Sequence, residues 1–348
     1  MKRNINIDLL KFISILAVVM THVNAEMLDY QVHSMTWTYG VFINTVIKFC
    51  VPVFLMCTGA VMINDTKTDI KKLYSKYILR FITALVFWNG AYQILNQYYL
   101  IKMNMINEYK FSEIFISLLA GTTKYHLYFM YIIIICYMFL PFTKKLINAI
   151  DEKEYRYLLV LIFITSVVIP YIFSFYAPES KNFIRKFSLN ICYMGIGYMI
   201  YGKYIYMKKE KINIKWALGL IILFLLFITY DVFRRSSSET FVKYWEVITP
   251  FIFIYSCLVF SVGIKLKLNI SEKMQHFITF LSKGSFFVYL SHLVVLDFLR
   301  FNGLSVMKCS TSLMKFIYPP GVTLLLVLIC YIFYFILSKI PVVNKYIM

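Results

Sequence analysis

Residues 6–26 read NIDLLKFISILAVVMTHVNAE, a run of Leu, Ile, Val and Phe interrupted by Asp8, Lys11 and His22. At about 1.5 Å per residue, roughly 20 apolar residues cross the hydrocarbon of a bilayer. This stretch is long enough to be a first membrane span. An acid, a base and an imidazole are costly against lipid, so they should face a bundle interior or a polar cavity. Lys11 and His22 lie about three helical turns apart, on one face and about 16 Å from each other along the axis. Asp8 precedes Lys11 by the spacing at which helix side chains meet, so the two are expected to neutralise each other near one end. His22 stands alone toward the other end. The plainer readings are interfacial snorkelling for Asp8 and Lys11 and helix packing for His22. A cleaved signal ending at "VNA" before Glu26 is the rival for the whole stretch, and Asp8 and Lys11 fit it poorly.

The same apolar pattern recurs along the chain. Ten spans are expected, at about 7–25, 39–63, 77–100, 125–146, 155–176, 183–205, 214–233, 244–264, 279–300 and 316–338. With the amino terminus inside, cytoplasmic segments hold 21 Lys and Arg against 12 in the outer loops. This bias places both termini in the cytoplasm. The expectation is an all-α integral membrane protein, about ten helices in one bundle. Residues 1–348 would form a single domain with no appended soluble domain.

Composition agrees. The chain is 60% hydrophobic and only 15% charged, where soluble domains carry about 25% charged residues. The net charge of +19 sits in short blocks between apolar runs and not on one amphipathic face. Membrane topology therefore explains it better than nucleic acid does. Seven scattered cysteines with no C-x-x-C spacing argue against a disulfide framework and against a zinc site. No metal is expected. The hydrolase, zinc-protease and phosphate-loop motifs G-x-S-x-G, H-E-x-x-H and G-x-x-x-x-G-K are absent from the sequence. "MGIGYMIYGK", inside the sixth expected span, reads as a small-residue packing face.

Other polar groups fall at membrane depth. Pro52, Thr58 and Gly59 loosen the second span or admit close approach, by ligand or by another backbone. Lys76 and Arg80 open the third span, either as solvated topology signals or as a phosphate-binding pair. His126 starts the fourth span beside the aromatic belt residues Tyr128 and Tyr131. His292 lies mid-helix in the ninth, five residues before Asp297, as a packing residue or a functional one.

On these residues the chain resembles the integral-membrane acyltransferase family 3, which includes O-acetyltransferases of peptidoglycan, lipopolysaccharide and exopolysaccharide. That family opens with Asp-x-x-Arg, ten residues and His, matched here by Asp8, Lys11 and His22. Its Pro-x-Phe-x-x-x-Ser-Gly is similar to Pro52, Phe54, Thr58 and Gly59. Its basic start to the third span corresponds to Lys76 and Arg80, with Trp88 downstream. Its "hLWFL…Y…P" stretch matches His126 to Phe129, Tyr137 and Pro141, and its late "YLIH" matches Tyr289 to His292. The resemblance runs end to end, and each short stretch is weak until order and spacing are added. Lys11 in place of Arg keeps the charge but loses the planar fork that grips phosphate bidentately. Thr58 in place of Ser is a milder departure.

The resemblance implies an O-acyltransferase of the bacterial cell membrane. It would move an acyl group, acetyl by expectation, from a cytoplasmic acyl-CoA to a hydroxyl of a surface glycan or lipid-linked sugar. His22 would be the base or acyl carrier, a task suited to an imidazole. Lys11, Lys76 and Arg80 would bind the donor phosphates, and Asp8, Thr58, Gly59, His126 and His292 could line the site. Acetyl-CoA is then the donor substrate, and the bilayer, the acyl-CoA and the glycan acceptor are the partners. The competing reading is a polytopic transporter or flippase for a glycan precursor. It would show paired interrupted helices in two related halves, and no such symmetry is visible in the sequence.

Overall fold

The computed structural model describes residues 3–64, 68–176, 191–236 and 249–348. All regular structure among them is helical. The helices are α1 (Ile5–Asn24), α2 (Met35–Ile47), α3 (Cys50–Met62), α4 (Leu79–Lys102), α5 (Ser112–Ala120), α6 (Tyr128–Ala149) and α7 (Glu152–Phe163). They continue as α8 (Ile169–Tyr176), α9 (Ile191–Met207), α10 (Ile214–Arg235), α11 (Pro250–Lys265), α12 (Glu272–Phe301), α13 (Ser312–Leu337) and α14 (Pro341–Tyr346).

Eight helical segments among the described residues are long and apolar enough to cross a membrane, by length and composition. They coincide with eight of the ten expected spans. The other two, expected at 183–205 and 244–264, begin in residues outside those described. Their described parts are α9 and α11, apolar helices of 17 and 16 residues. Outward faces carry the side chains a bilayer would solvate. Ile222 and Leu226 on α10, with Leu324 and Leu328 on α13, are each more than half exposed.

Capping residues set the helix starts. Asn4 accepts from the amides of Asn6 and Ile7 to begin α1, and Asp151 with Glu154 forms a capping box on α7. Thr249 caps α11, whose first position is Pro250. The expected second span is two helices, broken at Lys48 and Phe49. A π-helical turn at Leu73–Ile78 precedes α4.

The helix α1 is central, packed on α2, α3, α11, α12 and α13. The closest crossing is between α3 and α9. A Cβ added to Gly59 would lie 2.0 Å from the Met199 carbonyl oxygen, and one added to Gly202 would lie 2.3 Å from that of Met56. Only glycine lets two backbones approach so closely. Gly195, in the small-residue stretch of α9, instead makes room for side chains, those of Ile132 and Cys136 of α6.

One expected local pair does not form. Asp8 is held by Arg3, which donates through Nε and, at 3.0 Å, through Nη2, and by the Ser282 hydroxyl of α12 at 2.7 Å. Helix spacing allowed Lys11 to meet Asp8, but the guanidinium of Arg3, five residues earlier, and a hydroxyl supplied by α12 satisfy the buried carboxylate instead.

Candidate active site

Helix α1 presents one face to two cavities in succession. The first, about 440 Å³, is lined by Arg3, Asn4, Ile7, Asp8 and Lys11 with Ala60, Val61, Asn64 and Tyr206. The second, about 120 Å³, is lined from α1 by Ile15, Val18, Thr21 and His22. Positions 7, 8, 11, 15, 18 and 22 form one stripe at helical period, as the spacing predicts.

Three histidines from distant parts of the chain come together here: His22 and His126 line the second cavity, and His292 packs against both of their rings. The His22 ring stacks on His292 at 5.1 Å between centroids and 26° between planes. His126 stands edge-on to both, 5.1 Å from His292 and 6.1 Å from His22. Tyr125, Tyr289 and Tyr92 pack round them, with ring centroids 5.1 Å from His22, 5.5 Å from His126 and 5.3 Å from His126 in turn. Phe54, Phe129 and Phe286 complete an apolar lining into which Lys48 and Cys50 also reach.

Each histidine is held by its backbone or by a neighbour. The His22 carbonyl accepts from Arg300 Nη2 at 3.1 Å. Arg300 is itself tied by Nε to Glu26 at 2.5 Å, and the Glu26 carboxylate also accepts from the Ser305 hydroxyl and the Val306 amide, both at 2.9 Å. This clasp locks the end of α1 to the end of α12. The segment carrying His126 is pinned by the Lys124–Asp297 ion pair at 2.7 Å and by the Tyr289 hydroxyl, which donates to the His126 carbonyl at 2.5 Å. His292 Nδ1 lies 3.0 Å from the Val288 carbonyl oxygen. A carbonyl only accepts, so Nδ1 carries the proton and Nε2 of the neutral ring is left with its lone pair. That Nε2 and both nitrogens of His126 are buried without a hydrogen-bond partner. Unpartnered buried polar atoms cost about 1–3 kcal/mol each, so such a cluster calls for a polar ligand or water. Among the described residues no group of three His, Cys, Asp or Glu is arranged to hold a metal ion.

The profile of acyltransferase family 3, an acyltransferase domain, matches residues 4–340. The chain belongs to acyltransferase family 3. Comparison with curated proteins and with solved structures returns no match. The protein is thus a membrane acyltransferase, and its apolar helices make it a multi-pass one.

Within this acyltransferase the expected site residues separate into groups. His22 and His126 line one cavity, with His292 packed against both rings. Lys11 and Asp8 share the other. Arg80 lines neither of them; it donates to the Met348 carbonyl and lies over the Phe286 ring at 5.7 Å. It nevertheless lies toward the Asp8 end of the bundle, since Phe286 is one turn of α12 from Ser282, which bonds to Asp8. Lys76 is exposed, above the Tyr77 ring at 5.6 Å. Thr58 bonds to the Phe54 carbonyl at 3.0 Å and Gly59 sits in the α3–α9 crossing, so neither lines the histidine cavity.

Two features of this acyltransferase were not singled out from the sequence. Lys48 lines the histidine cavity at the α2–α3 break, and a lysine inside the apolar run 39–63 was its available signal. The Glu26–Arg300 clasp joins residues 274 apart, for which no local pattern exists.

Proposed function

We propose that the protein transfers an acyl group, acetyl by preference, from a cytoplasmic acyl-CoA to a hydroxyl of a surface glycan or lipid-linked sugar in the bacterial cell membrane. One observation carries this reading: a single face of α1 runs from the cavity of Lys11 to the cavity lined by His22 and His126, against whose rings His292 packs. The donor phosphates sit at the Lys11 end, with Arg80 and Lys76 at the same end of the bundle. The acyl-bearing arm follows the stripe through Ile15 and Val18 to the imidazoles, about 16 Å along the helix. His22 acts as base or acyl carrier, and the unpartnered nitrogens of His126 and His292 hold the polar atoms of the reacting groups. The transporter reading gains nothing from this arrangement, because a small, largely apolar cavity that presents two imidazoles backed by a third is suited to chemistry.

Membranes containing the protein are expected to release CoA from acetyl-CoA, which a transporter would not do. Lys11→Ala and Arg80→Ala should each raise the KM for acetyl-CoA by about tenfold or more, since a charge-assisted hydrogen bond contributes roughly 1.5–3 kcal/mol. Lys11→Arg should preserve or lower that KM. Unchanged donor KM in both alanine variants would leave these cations as topology signals only.

The charge bias further places both termini in the cytoplasm. In a variant lacking native cysteines, a thiol at Met105 should be labelled by an impermeant maleimide from outside the cell, and one at Lys153 only after lysis. The reverse pattern would invert the bundle and put the Lys11 cavity on the wrong side for a cytoplasmic donor.

A further inference from the structure

At the end of the bundle opposite Asp8 lies another cavity, about 360 Å³, lined by Asn96, Tyr99, Lys124, Asp297, Arg300 and Phe301 together with two apolar side chains. Its volume is within the range of small-molecule sites. One wall is aromatic: the Tyr99 and Phe301 rings stack at 4.5 Å and 24°. The Tyr99 hydroxyl is buried without a hydrogen-bond partner. The floor belongs to the histidine site. Lys124 immediately precedes Tyr125 and His126, and Arg300 holds the His22 carbonyl. Tyr125, 60% exposed, lines the histidine cavity with its ring 5.1 Å from His22 and directly follows Lys124 of the outer cavity in the chain.

The charges of this cavity are already matched. Lys124 is paired with Asp297 at 2.7 Å and Arg300 with Glu26 at 2.5 Å. Because each cation is already neutralised by a carboxylate, an anionic ring gains no net attraction here and must still shed its own hydration, which is a cost. A neutral polyhydroxyl ring meets no such penalty. Its apolar face can lie on the aromatic wall, while its hydroxyls bond to the Asn96 amide, the Tyr99 hydroxyl and the outer lone pairs of Asp297.

We propose that this cavity receives the acyl acceptor and selects a neutral sugar ring over an anionic one. The proposal rests on the acyltransferase reading of His22. A hydroxyl reaching past Tyr125 meets the imidazole, its oxygen attacks the thioester carbonyl carbon, and His22 takes the proton. The C–S bond then breaks, the new C–O ester bond remains, and CoA leaves as the thiol by recovering the proton from His22.

The test uses the full chain in proteoliposomes with acetyl-CoA and two probes, methyl glucopyranoside and methyl glucuronide, reading CoA release and the acetylated glycoside by mass spectrometry. The neutral glycoside should be used at least tenfold better in kcat/KM. Tyr99→Leu should raise the glycoside KM at least tenfold with the acetyl-CoA KM within twofold, and Phe301→Leu repeats this arm if the first variant fails to accumulate. Asp297→Asn, which leaves Lys124 without its carboxylate, should narrow or reverse the neutral-over-anionic preference at least tenfold. Equal use of the two glycosides, or an unchanged glycoside KM in the wall variants, overturns the proposal. CoA release with no dependence on either glycoside also overturns it while leaving the acyltransferase reading intact. No CoA release at all from the wild-type protein removes both.

Discussion

His22→Gln is expected to lose at least two orders of magnitude in acyl transfer while inserting and melting as the wild-type protein does. The size follows from the role. A positioned base contributes roughly 10²–10⁴-fold, and glutamine can neither accept a proton nor carry an acyl group. Stability should be largely spared because the hydrogen bond that ties His22 to α12 runs through its carbonyl, which Arg300 holds whatever the side chain, and glutamine still fills much of the space of the ring. His126→Gln and His292→Gln serve as graded comparisons. Each keeps an amide that can bond to a reacting group, so each should lose less, about tenfold, with His292 more sensitive because its ring stacks directly on His22. The check is acetyl transfer by purified variants alongside their melting temperatures. If His22→Gln retains most of its turnover, the base is elsewhere and His292 is the next candidate. If the variant fails to accumulate, His22 is a packing residue.

The second large effect concerns the fold. Gly59→Ala and Gly202→Ala should each destabilise the protein by about 2 kcal/mol or more, because overpacking a tight contact costs about 1–3 kcal/mol even where side chains can shift. Here the added methyl would meet backbone, the Met199 carbonyl oxygen at 2.0 Å for Gly59 and the Met56 carbonyl oxygen at 2.3 Å for Gly202. Backbone atoms of a packed helix cannot move aside singly, so α3 and α9 must separate. Since α3 also carries Cys50 and Phe54 of the histidine cavity, activity should fall together with stability. Gly219→Ala is the control. It has no atom within 4 Å of the added methyl, and it should be neutral or stabilising by up to about 1 kcal/mol through helix propensity. Melting temperatures in detergent that leave Gly59→Ala and Gly219→Ala indistinguishable would remove the α3–α9 crossing as a determinant of the fold.

These two predictions separate what local pattern conveys from what it does not. The sequence marked Gly59 as a residue admitting close approach, by ligand or by another helix. The partner was invisible, since Met199 is far along the chain and no local periodicity links them. Asp8 is a similar case. Its spacing to Lys11 was legible, yet its partners are Arg3, five residues earlier in the chain, and Ser282, which only the packing of α12 on α1 brings to the carboxylate. His126 and His292 were each ambiguous between packing and function. Their rings lie 5.1 Å apart, and that proximity to each other and to His22 is the information neither residue carries alone.

By itself the sequence determined that the chain is a bundle of membrane helices. It also determined that α1 bears Asp8, Lys11 and His22 on one stripe, and that the short motifs along the chain are those of acyltransferase family 3. Hydropathy, a period of 3.6 and motif spacing are properties of neighbouring residues, and the bilayer leaves an apolar run of such length little choice but to be helical. The tertiary structure alone decided which polar groups meet. It set three histidines together, placed Lys48 at the break between α2 and α3, closed the Glu26–Arg300 clasp and left a charge-matched cavity above the site. Those pairings depend on how helices far apart in sequence rotate and cross, where a few tight glycine contacts and buried hydrogen bonds select one arrangement from many with the same hydropathy.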